Sequence, residues 1–501
     1  MMDLSLTHDT LHVRNRLAPL RRLFTRDWLP VLVFLVSLAI YVFMTDNLIA
    51  KVRFPTGDEP YYLLMAHSLL HDHDLELTNN FAERDYWDYY PGELYPRHES
   101  KTVQPGLWSK HAPGVAALIV PGYALAGWRG GALTMSLLAA LLASNIYLLG
   151  REASGRRFLG LFAWLTLSFT NPLASYASLI FPATPAALFT IYAFRQIRNG
   201  RVPGDPWRTL GAALCTAALP WLNPQLLPLA AGLAIYALGT LGPREPVSGN
   251  WHKAAHAWGR AWASHGRAWL AALLPLVILA SLYLGYYYYL YETILPNWQD
   301  HAGSSDLAGT FIGLIGSFLD QQWGLLIHAP LLLLAFSGMM LMWQRDRREL
   351  GWLTVVSLPY FLLIINYKQW WGEWCPAARY LVPLVPLLAL PLVRASRALR
   401  RWRFLLAYLP LAAASYGVMA AFVLDPHLMY NHPVGQSNLL LWLAGQGWPD
   451  LTHVVPTFFI ADEMQRNLAV AAVWALAAVG MVMWGWRSAQ ADDQPPPQRH
   501  G

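Results

Sequence analysis

Long apolar stretches recur along the whole chain, and shorter polar segments separate them. A helix needs about 20 apolar residues to cross the hydrocarbon core of a bilayer, so each stretch near that length is a candidate span. The pattern predicts an all-α polytopic membrane protein with about 12 transmembrane helices. The predicted spans cover residues 29–45, 132–149, 158–177, 180–194, 209–222, 225–241, 268–290, 323–343, 351–366, 380–393, 404–424 and 467–486.

The apolar run at residues 113–128 determines which side of the membrane every later loop faces. If this run lies at the outer interface instead of crossing, most of the 36 Lys and Arg residues fall in inner loops, as the positive-inside rule requires. Its internal Pro121 and Gly122 also suit an irregular interfacial segment. Both termini are then cytoplasmic. The predicted divisions are a cytoplasmic N-terminal segment at 1–28, a transmembrane domain at 29–486 and a disordered cytoplasmic tail at 487–501.

Composition agrees with a membrane protein. Hydrophobic residues make up 55% of the chain and charged residues 13%, about half the charge of a soluble globular domain. Trp and Tyr number 24 each, as expected for aromatic belts at the membrane interfaces. The two cysteines, Cys215 and Cys375, give no disulfide framework. No phosphate-binding loop is present, which argues against a machine driven by cytoplasmic ATP. The predicted partners include membrane lipids and exclude nucleic acid.

An acidic pair, Asp58 and Glu59, directly follows the first span in the longest predicted outer segment. Charge beside hydrocarbon is costly and usually marks a functional site. The residues that follow predict an amphipathic helix along the membrane surface, with Tyr62, Met65 and Leu69 on one face. Asp58 occupies the N-cap position of that helix, so simple capping is an alternative role for it. The four long predicted outer segments are 46–131, 291–322, 367–379 and 425–466, and short turns join the other spans on that side.

Three stretches in these outer segments resemble motifs of a known family. They are GDEPYYL at 57–63, SKHAPG at 109–114 and WWGEWCPAARYLVP at 370–383. In this order they resemble the GT-C glycosyltransferases, especially bacterial members related to protein O-mannosyltransferases and to the lipid A aminoarabinose transferase. The third stretch is similar to a Trp-Trp-Gly-Gly-Trp…Pro-Arg-Tyr-Leu-x-Pro signature in bacterial relatives. The resemblance implies the GT-C fold, with a long first periplasmic loop at 46–131 that carries the catalytic acid and surface helices.

The resemblance also implies an activity. Such enzymes take a sugar from a polyprenyl-phosphate carrier at the outer face of the bacterial plasma (inner) membrane and transfer it, usually with inversion, to an acceptor hydroxyl. The acceptor can be a lipid, a glycan or a protein, and the sugar a hexose or a pentose. Asp58 would be the general base, and Glu59 would orient the catalytic site.

The remaining candidate site residues are assigned to the phosphate or to the substrates. A phosphodiester needs cationic partners. The candidates for it are Arg379 and Lys110, with Lys368 and Arg97 in reserve. The predicted substrate-binding residues are Tyr62, His111, Trp370, Trp371, Trp374 and Tyr380. The three tryptophans could stack on the sugar or the prenyl chain, although an interfacial belt is an alternative explanation for them.

A metal is not favoured. His67, His71 and the acids at 72 and 74 form a dense cluster that is metal-like in spacing, but its place at the end of a surface helix suits ordinary polarity. Many relatives carry a second acid in the outer turn between the third and fourth spans. Here that turn, SLIFPATP at 178–185, offers only Thr184. We therefore expect a reaction without metal or other cofactor, in which Asp58 is the sole base.

Two other functions fit the span count. Twelve spans with both termini inside also suit a transporter or flippase of a lipid-linked glycan, but the chain shows neither repeated halves nor many charges within its spans. An inactive scaffold with the transferase fold is a third alternative. The clustering of acids in one outer segment favours surface chemistry.

Overall fold

The computed structural model describes residues 28–96, 102–200, 205–241, 251–293, 305–398, 401–460 and 464–492. Arg97, the reserve phosphate ligand, lies outside the described residues. So do nearly all of the predicted N-terminal segment and the end of the predicted tail. The first part of that tail is helical rather than disordered, because the last helix continues to Asp492.

The described residues form α-helices and short 3₁₀ turns without a strand, which confirms the all-α prediction. The α-helices are α1 (Leu29–Val52), α2 (Glu59–His71), α3 (Thr78–Glu83), α4 (Gly114–Ser154), α5 (Arg157–Ser168), α6 (Ala183–Arg198), α7 (Pro206–Leu222), α8 (Leu227–Leu241), α9 (Trp251–Ser264), α10 (Gly266–Tyr291), α11 (Leu307–Leu319), α12 (Leu325–His328), α13 (Leu334–Arg345), α14 (Arg347–Asn366), α15 (Ala389–Ala398), α16 (Arg401–Leu424), α17 (Asn438–Gly445) and α18 (Met464–Asp492).

Seven of the described helical segments are long and apolar enough to cross a membrane, so the chain is a multi-pass membrane protein. The predicted count of twelve spans is not confirmed. The predicted span at 158–177 ends early, since α5 stops at Ser168. The predicted spans at 323–343 and 380–393 are broken into short helical pieces, and prolines lie at the breaks because they cannot donate a backbone hydrogen bond.

The apolar run at 113–128 is continuous with the next span in α4 but is separated from it by a break. Ala126 and Gly127 depart from helical geometry, and Gly127 has a φ of +53°, which favours glycine. On either side of the break, Gly122 and Gly130 approach so closely that a Cβ on Gly130 would lie 1.8 Å from the carbonyl oxygen of Gly122. The chain therefore turns sharply here, and the run is a helical arm separate from the span that follows. The arm is helical through Pro121 and Gly122, where the sequence suggests irregular backbone, and its place at the outer interface stays a prediction.

Helix α2 forms where the sequence predicts it, but its burial is different. The predicted apolar face covers one side only, whereas residues 60–66 are all buried and Leu63, Leu64 and Ala66 are fully enclosed. α2 packs on α4. It therefore lies within the fold, and its first residue, Glu59, is held there with it.

Candidate active site

An open cavity lies at the N-terminus of α2. Every segment that forms it belongs to a predicted outer region or borders one, so residues far apart in sequence meet on one side of the protein. The cavity is lined by Asp58, Tyr62, Lys110, His111, Ala112, Leu222, Asn223, Pro224, Gln225, Tyr367, Gln369, Gly372, Glu373, Arg379 and Tyr380.

Asp58 and Arg379 form an ion pair in the wall of this cavity. Nη2 of Arg379 donates to Oδ2 of Asp58, and Nη1 donates to the carbonyl oxygen of Gly372 at 3.1 Å. The two side chains are only 13% and 11% exposed, so water weakens the pair little. The Arg379 guanidinium also lies over the ring of Phe181, 4.5 Å from its centroid. These contacts fix the guanidinium beside the Asp58 carboxylate.

Asp58 is the residue before α2, but its side chain does not cap the helix. The capping alternative is therefore wrong, because the carboxylate turns to Arg379 instead. Gly57 makes this turn possible: its φ is +61°, and a Cβ there would lie 2.7 Å from the carbonyl oxygen of Trp374.

His111 approaches the same carboxylate from the other side. Its Nε2 lies 4.0 Å from Oδ1 of Asp58, and its ring is tilted by 41° against the Tyr62 ring, with the centroids 4.9 Å apart. The Tyr62 side chain is 1% exposed, and this burial raises the pKa of its hydroxyl far above its ordinary value. Lys110, beside His111, adds a cation to the cavity wall. Five predicted site residues therefore line the cavity with Asp58: Arg379, His111, Tyr62, Lys110 and Tyr380.

Glu59 does not line the cavity. Its carboxylate is 2% exposed and accepts hydrogen bonds from two backbone N–H groups, Thr56 at 3.1 Å and Ile180 at 2.9 Å. Burial raises the pKa of Glu59 to about 7, and the two N–H groups oppose part of that rise. Glu59 therefore ties the Asp58 turn to the turn at 178–182, which is a positioning role.

Replacing Glu59 with glutamine is expected to lower the free energy of unfolding by about 1–3 kcal/mol, because the amide NH₂ would face a backbone N–H. The folded state binds the Glu59 proton more tightly than the unfolded state does. The contribution of Glu59 to the free energy of unfolding of the wild type is thus greatest below pH 4.5, and it is lost as the pH rises through about 7. Thermal unfolding in detergent should show a wider gap between wild type and E59Q near pH 5 than near pH 8. An equal gap at both pH values would contradict this account.

The outer turn at 178–185 takes part in the site without an acid. Ile180 contributes its N–H to Glu59, and Phe181 lies under the Arg379 guanidinium. Thr184, its one candidate polar side chain, turns away and donates to the carbonyl oxygen of Tyr176 at 2.7 Å. The turn therefore supplies backbone and aromatic contacts to the site and no carboxylate.

The three predicted sugar-stacking tryptophans do not line the cavity. Trp370 is 7% exposed and packs against Phe459, with the ring centroids 5.7 Å apart. Trp371 also packs on Phe459, and Trp374 stacks on Tyr430. Their role in this structure is to pack the outer segments together. The reserve cation Lys368 is exposed and lies outside the cavity lining as well.

The histidine cluster on α2 is engaged in hydrogen bonds. His67 Nδ1 lies 3.1 Å from the Tyr123 hydroxyl and Nε2 lies 3.5 Å from Asp85, while Asp72 accepts from the Asn80 amide at 2.7 Å. Among the described residues, no three His, Cys, Asp or Glu side chains are grouped so that they could hold a metal ion. The independence of the reaction from metal remains a prediction.

Five polar residues of the cavity were missed in the sequence: Tyr367, Gln369, Glu373, Asn223 and Gln225. A signal for them exists. Asn223 to Gln225 is the short polar turn between two predicted spans, and the predicted topology puts that turn on the outer side with Asp58. The other three lie within the predicted outer segment 367–379, in which only the tryptophans were predicted to bind substrate.

No protein-family model and no curated protein sequence matches the chain. Among solved structures, ArnT from Cupriavidus metallidurans, bound to undecaprenyl phosphate, is similar over 92% of this chain and 74% of its own, with 14% identity and a TM-score of 0.48. The archaeal oligosaccharyltransferase AglB from Archaeoglobus fulgidus, in complex with an inhibitory peptide and a dolichol-phosphate, is similar over 85% of this chain, with 12% identity and a TM-score of 0.41. This chain spans 59% of the length of AglB.

Proposed function

We propose that this protein transfers a sugar from a polyprenyl-phosphate-linked donor to a hydroxyl group of a lipid or glycan acceptor. The observation that carries the proposal is the Asp58–Arg379 ion pair in the wall of an open cavity that Lys110 and His111 also line. A carboxylate next to two cationic side chains supplies both a base and a phosphate site in one place. The sequence motifs that resemble GT-C glycosyltransferases fall on these same residues.

The proposed sugar transfer uses Asp58, Arg379 and Lys110 in the following way. Asp58 takes the proton from the acceptor hydroxyl as its oxygen attacks the anomeric carbon of the donor sugar. The bond between that carbon and the phosphate oxygen breaks, and its electron pair leaves with the polyprenyl phosphate. A single displacement of this kind inverts the anomeric configuration. Neither a metal nor another cofactor takes part in the proposed reaction.

Arg379 and Lys110 would bind the phosphate of the donor. The Arg379 guanidinium is a planar fork that suits phosphate oxygens, and its contacts with Gly372 and Asp58 hold it at the cavity. Negative charge grows on the phosphate as the bond to the sugar breaks. Arg379, fixed beforehand by these contacts, would stabilise that charge without having to reorganise, and Lys110 adds a second cation in the cavity wall.

The prenyl chain would occupy an apolar groove whose lining includes Leu381, two residues after Arg379. Apart from Thr354 and Ser357, its lining is hydrophobic, with Leu384 and Leu388 on one side and Phe361 and Leu353 on α14. A prenyl tail gains free energy wherever it leaves water for such a surface.

The proposed location is the bacterial inner membrane, with the cavity on the periplasmic side and both termini in the cytoplasm. The distribution of Lys and Arg supports this orientation. The cavity residues support it too, because they come from segments that the charge distribution assigns to the same side.

The test is an assay of the purified protein with synthetic polyprenyl-phosphate sugars and candidate lipid and glycan acceptors. We expect a glycosylated acceptor and free polyprenyl phosphate in equal amounts, with turnover that persists in EDTA. Vesicles that contain the protein should not exchange the labelled donor between leaflets. Exchange without any glycosylated product would overturn the transferase proposal in favour of a flippase.

A further inference from the structure

Glu373 is a second carboxylate in the cavity, on a different segment from the turn where relatives carry their second acid. Its backbone has a φ of +63°, the left-handed region in which glycine is favoured and other side chains are strained. Strained residues of this kind concentrate at binding and catalytic sites, where the side chain is needed despite its cost.

Two neighbours hold the Glu373 side chain in place. The Tyr367 hydroxyl donates to Oε1 of Gln369 at 3.2 Å, and Nε2 of Gln369 donates to Oε1 of Glu373. All three residues line the cavity. Tyr367 lines the same cavity as Asp58 and Arg379. The chain of hydrogen bonds therefore fixes a carboxylate next to the reacting groups.

The charges in the cavity restrict what can bind. Asp58 and Glu373 contribute two negative charges, and Lys110 and Arg379 contribute two positive charges. A donor phosphodiester adds one more negative charge, so a further anionic group would meet net repulsion. An ionised carboxylate can only accept hydrogen bonds, so a ligand group that binds the exposed Glu373 side chain must donate one.

We propose that Glu373 selects the transferred sugar, accepting a hydrogen bond from a hydroxyl or ammonium group and excluding sugars that carry a carboxylate. This inference rests on the proposed glycosyl transfer and names its substrate class: neutral or amino sugars, and not uronic acids. The amides of Asn223 and Gln225 in the same cavity complete a polar surface that suits a hydroxylated ring.

The experiment compares three donors, carrying a neutral hexose, an amino sugar or a uronic acid on the same polyprenyl phosphate. Wild type should use the neutral or the amino sugar and discriminate strongly against the uronic acid. E373Q should lower kcat/KM for the preferred donor by about 10- to 100-fold, mainly through a higher KM, because a charge-assisted hydrogen bond is lost. Its discrimination against the uronic acid should fall. The preferred donor shows whether a hydroxyl or an ammonium group is the partner of Glu373.

Two variants separate this role from a structural one. E373G removes the carboxylate and relieves the strained backbone, so its Tm should equal or exceed that of wild type while its sugar selectivity is lost. E83Q neutralises an exposed acid of the first outer segment outside the cavity, and should keep wild-type kinetics. If wild type transfers sugar but E373Q and E373G keep its preference, the role of Glu373 is overturned and the proposed function stands. If wild type transfers none of the sugars, both the role of Glu373 and the proposed function are overturned.

Discussion

Replacing Asp58 with asparagine is expected to lower kcat for sugar transfer by about 10²- to 10⁴-fold, the usual contribution of a general base. Asparagine has the shape of aspartate, and its Oδ1 can still accept a hydrogen bond from Arg379, so the cavity should keep its form. It cannot take a proton from the acceptor hydroxyl. The KM for the donor should change much less than kcat, because the phosphate-binding cations are untouched.

The matched control is D46N. Asp46 also pairs with an arginine, Arg129, through two hydrogen bonds of 2.8 and 3.1 Å, but that pair is about half exposed and outside the cavity. D46N should keep wild-type kcat. Steady-state kinetics of both variants, with circular dichroism to confirm folding, decides the question. Full turnover by folded D58N would remove Asp58 as the base.

The sequence was most informative where function needs a charge at the membrane surface. Asp58, Lys110 and Arg379 are far apart in the chain, yet the predicted topology put all three on the outer side, and the structure brings them to one cavity. A charge is costly near hydrocarbon, so its presence in an outer loop carries information that an apolar residue does not.

Burial was much harder to predict. Asp58 and Glu59 are adjacent and look alike in the sequence, but one opens into the cavity and the other is enclosed beneath it. One of the two backbone N–H groups that donate to Glu59 belongs to Ile180, 121 residues away in the chain. The tryptophans at 370 and 371 pose the same problem, because a residue suited to a sugar face is equally suited to packing against Phe459. Tertiary contacts decide these cases, and local pattern does not contain them.

The predicted lengths of several spans were wrong for a related reason. Where helices pack on one another, a helix shorter than a full span can be followed by irregular backbone. That backbone is tolerated because the surrounding protein buries it. The breaks at 323–343 and 380–393 flank the Trp-rich segment and Arg379, so helices stop short of full length where the site is built. Hydropathy measures apolar length and cannot show this.

Replacing Arg379 should separate its two roles. R379A leaves the Asp58 carboxylate enclosed without its main partner and is expected to destabilise the fold by about 3 kcal/mol, which thermal unfolding without donor would measure. R379K keeps the charge but loses the fork, since one ammonium cannot reproduce the paired contacts with Asp58 and Gly372. We expect R379K to raise the KM for the donor by about 10-fold, the loss of one charge-assisted hydrogen bond.

The double variant D58N/R379A distinguishes an ion-pair partner from a phosphate ligand. In the D58N background the residue at 58 carries no charge, so R379A leaves no buried charge without its partner. R379A should therefore lower the free energy of unfolding much less in D58N than in wild type. Donor binding should behave differently, because the phosphate needs the cation whether or not Asp58 is charged. Donor affinity, measured by displacement of a labelled polyprenyl phosphate, should therefore fall equally in both backgrounds, while R129K, at the exposed Asp46 pair, changes neither quantity. A donor affinity that survives R379A would confine Arg379 to holding Asp58 and leave Lys110 as the phosphate ligand.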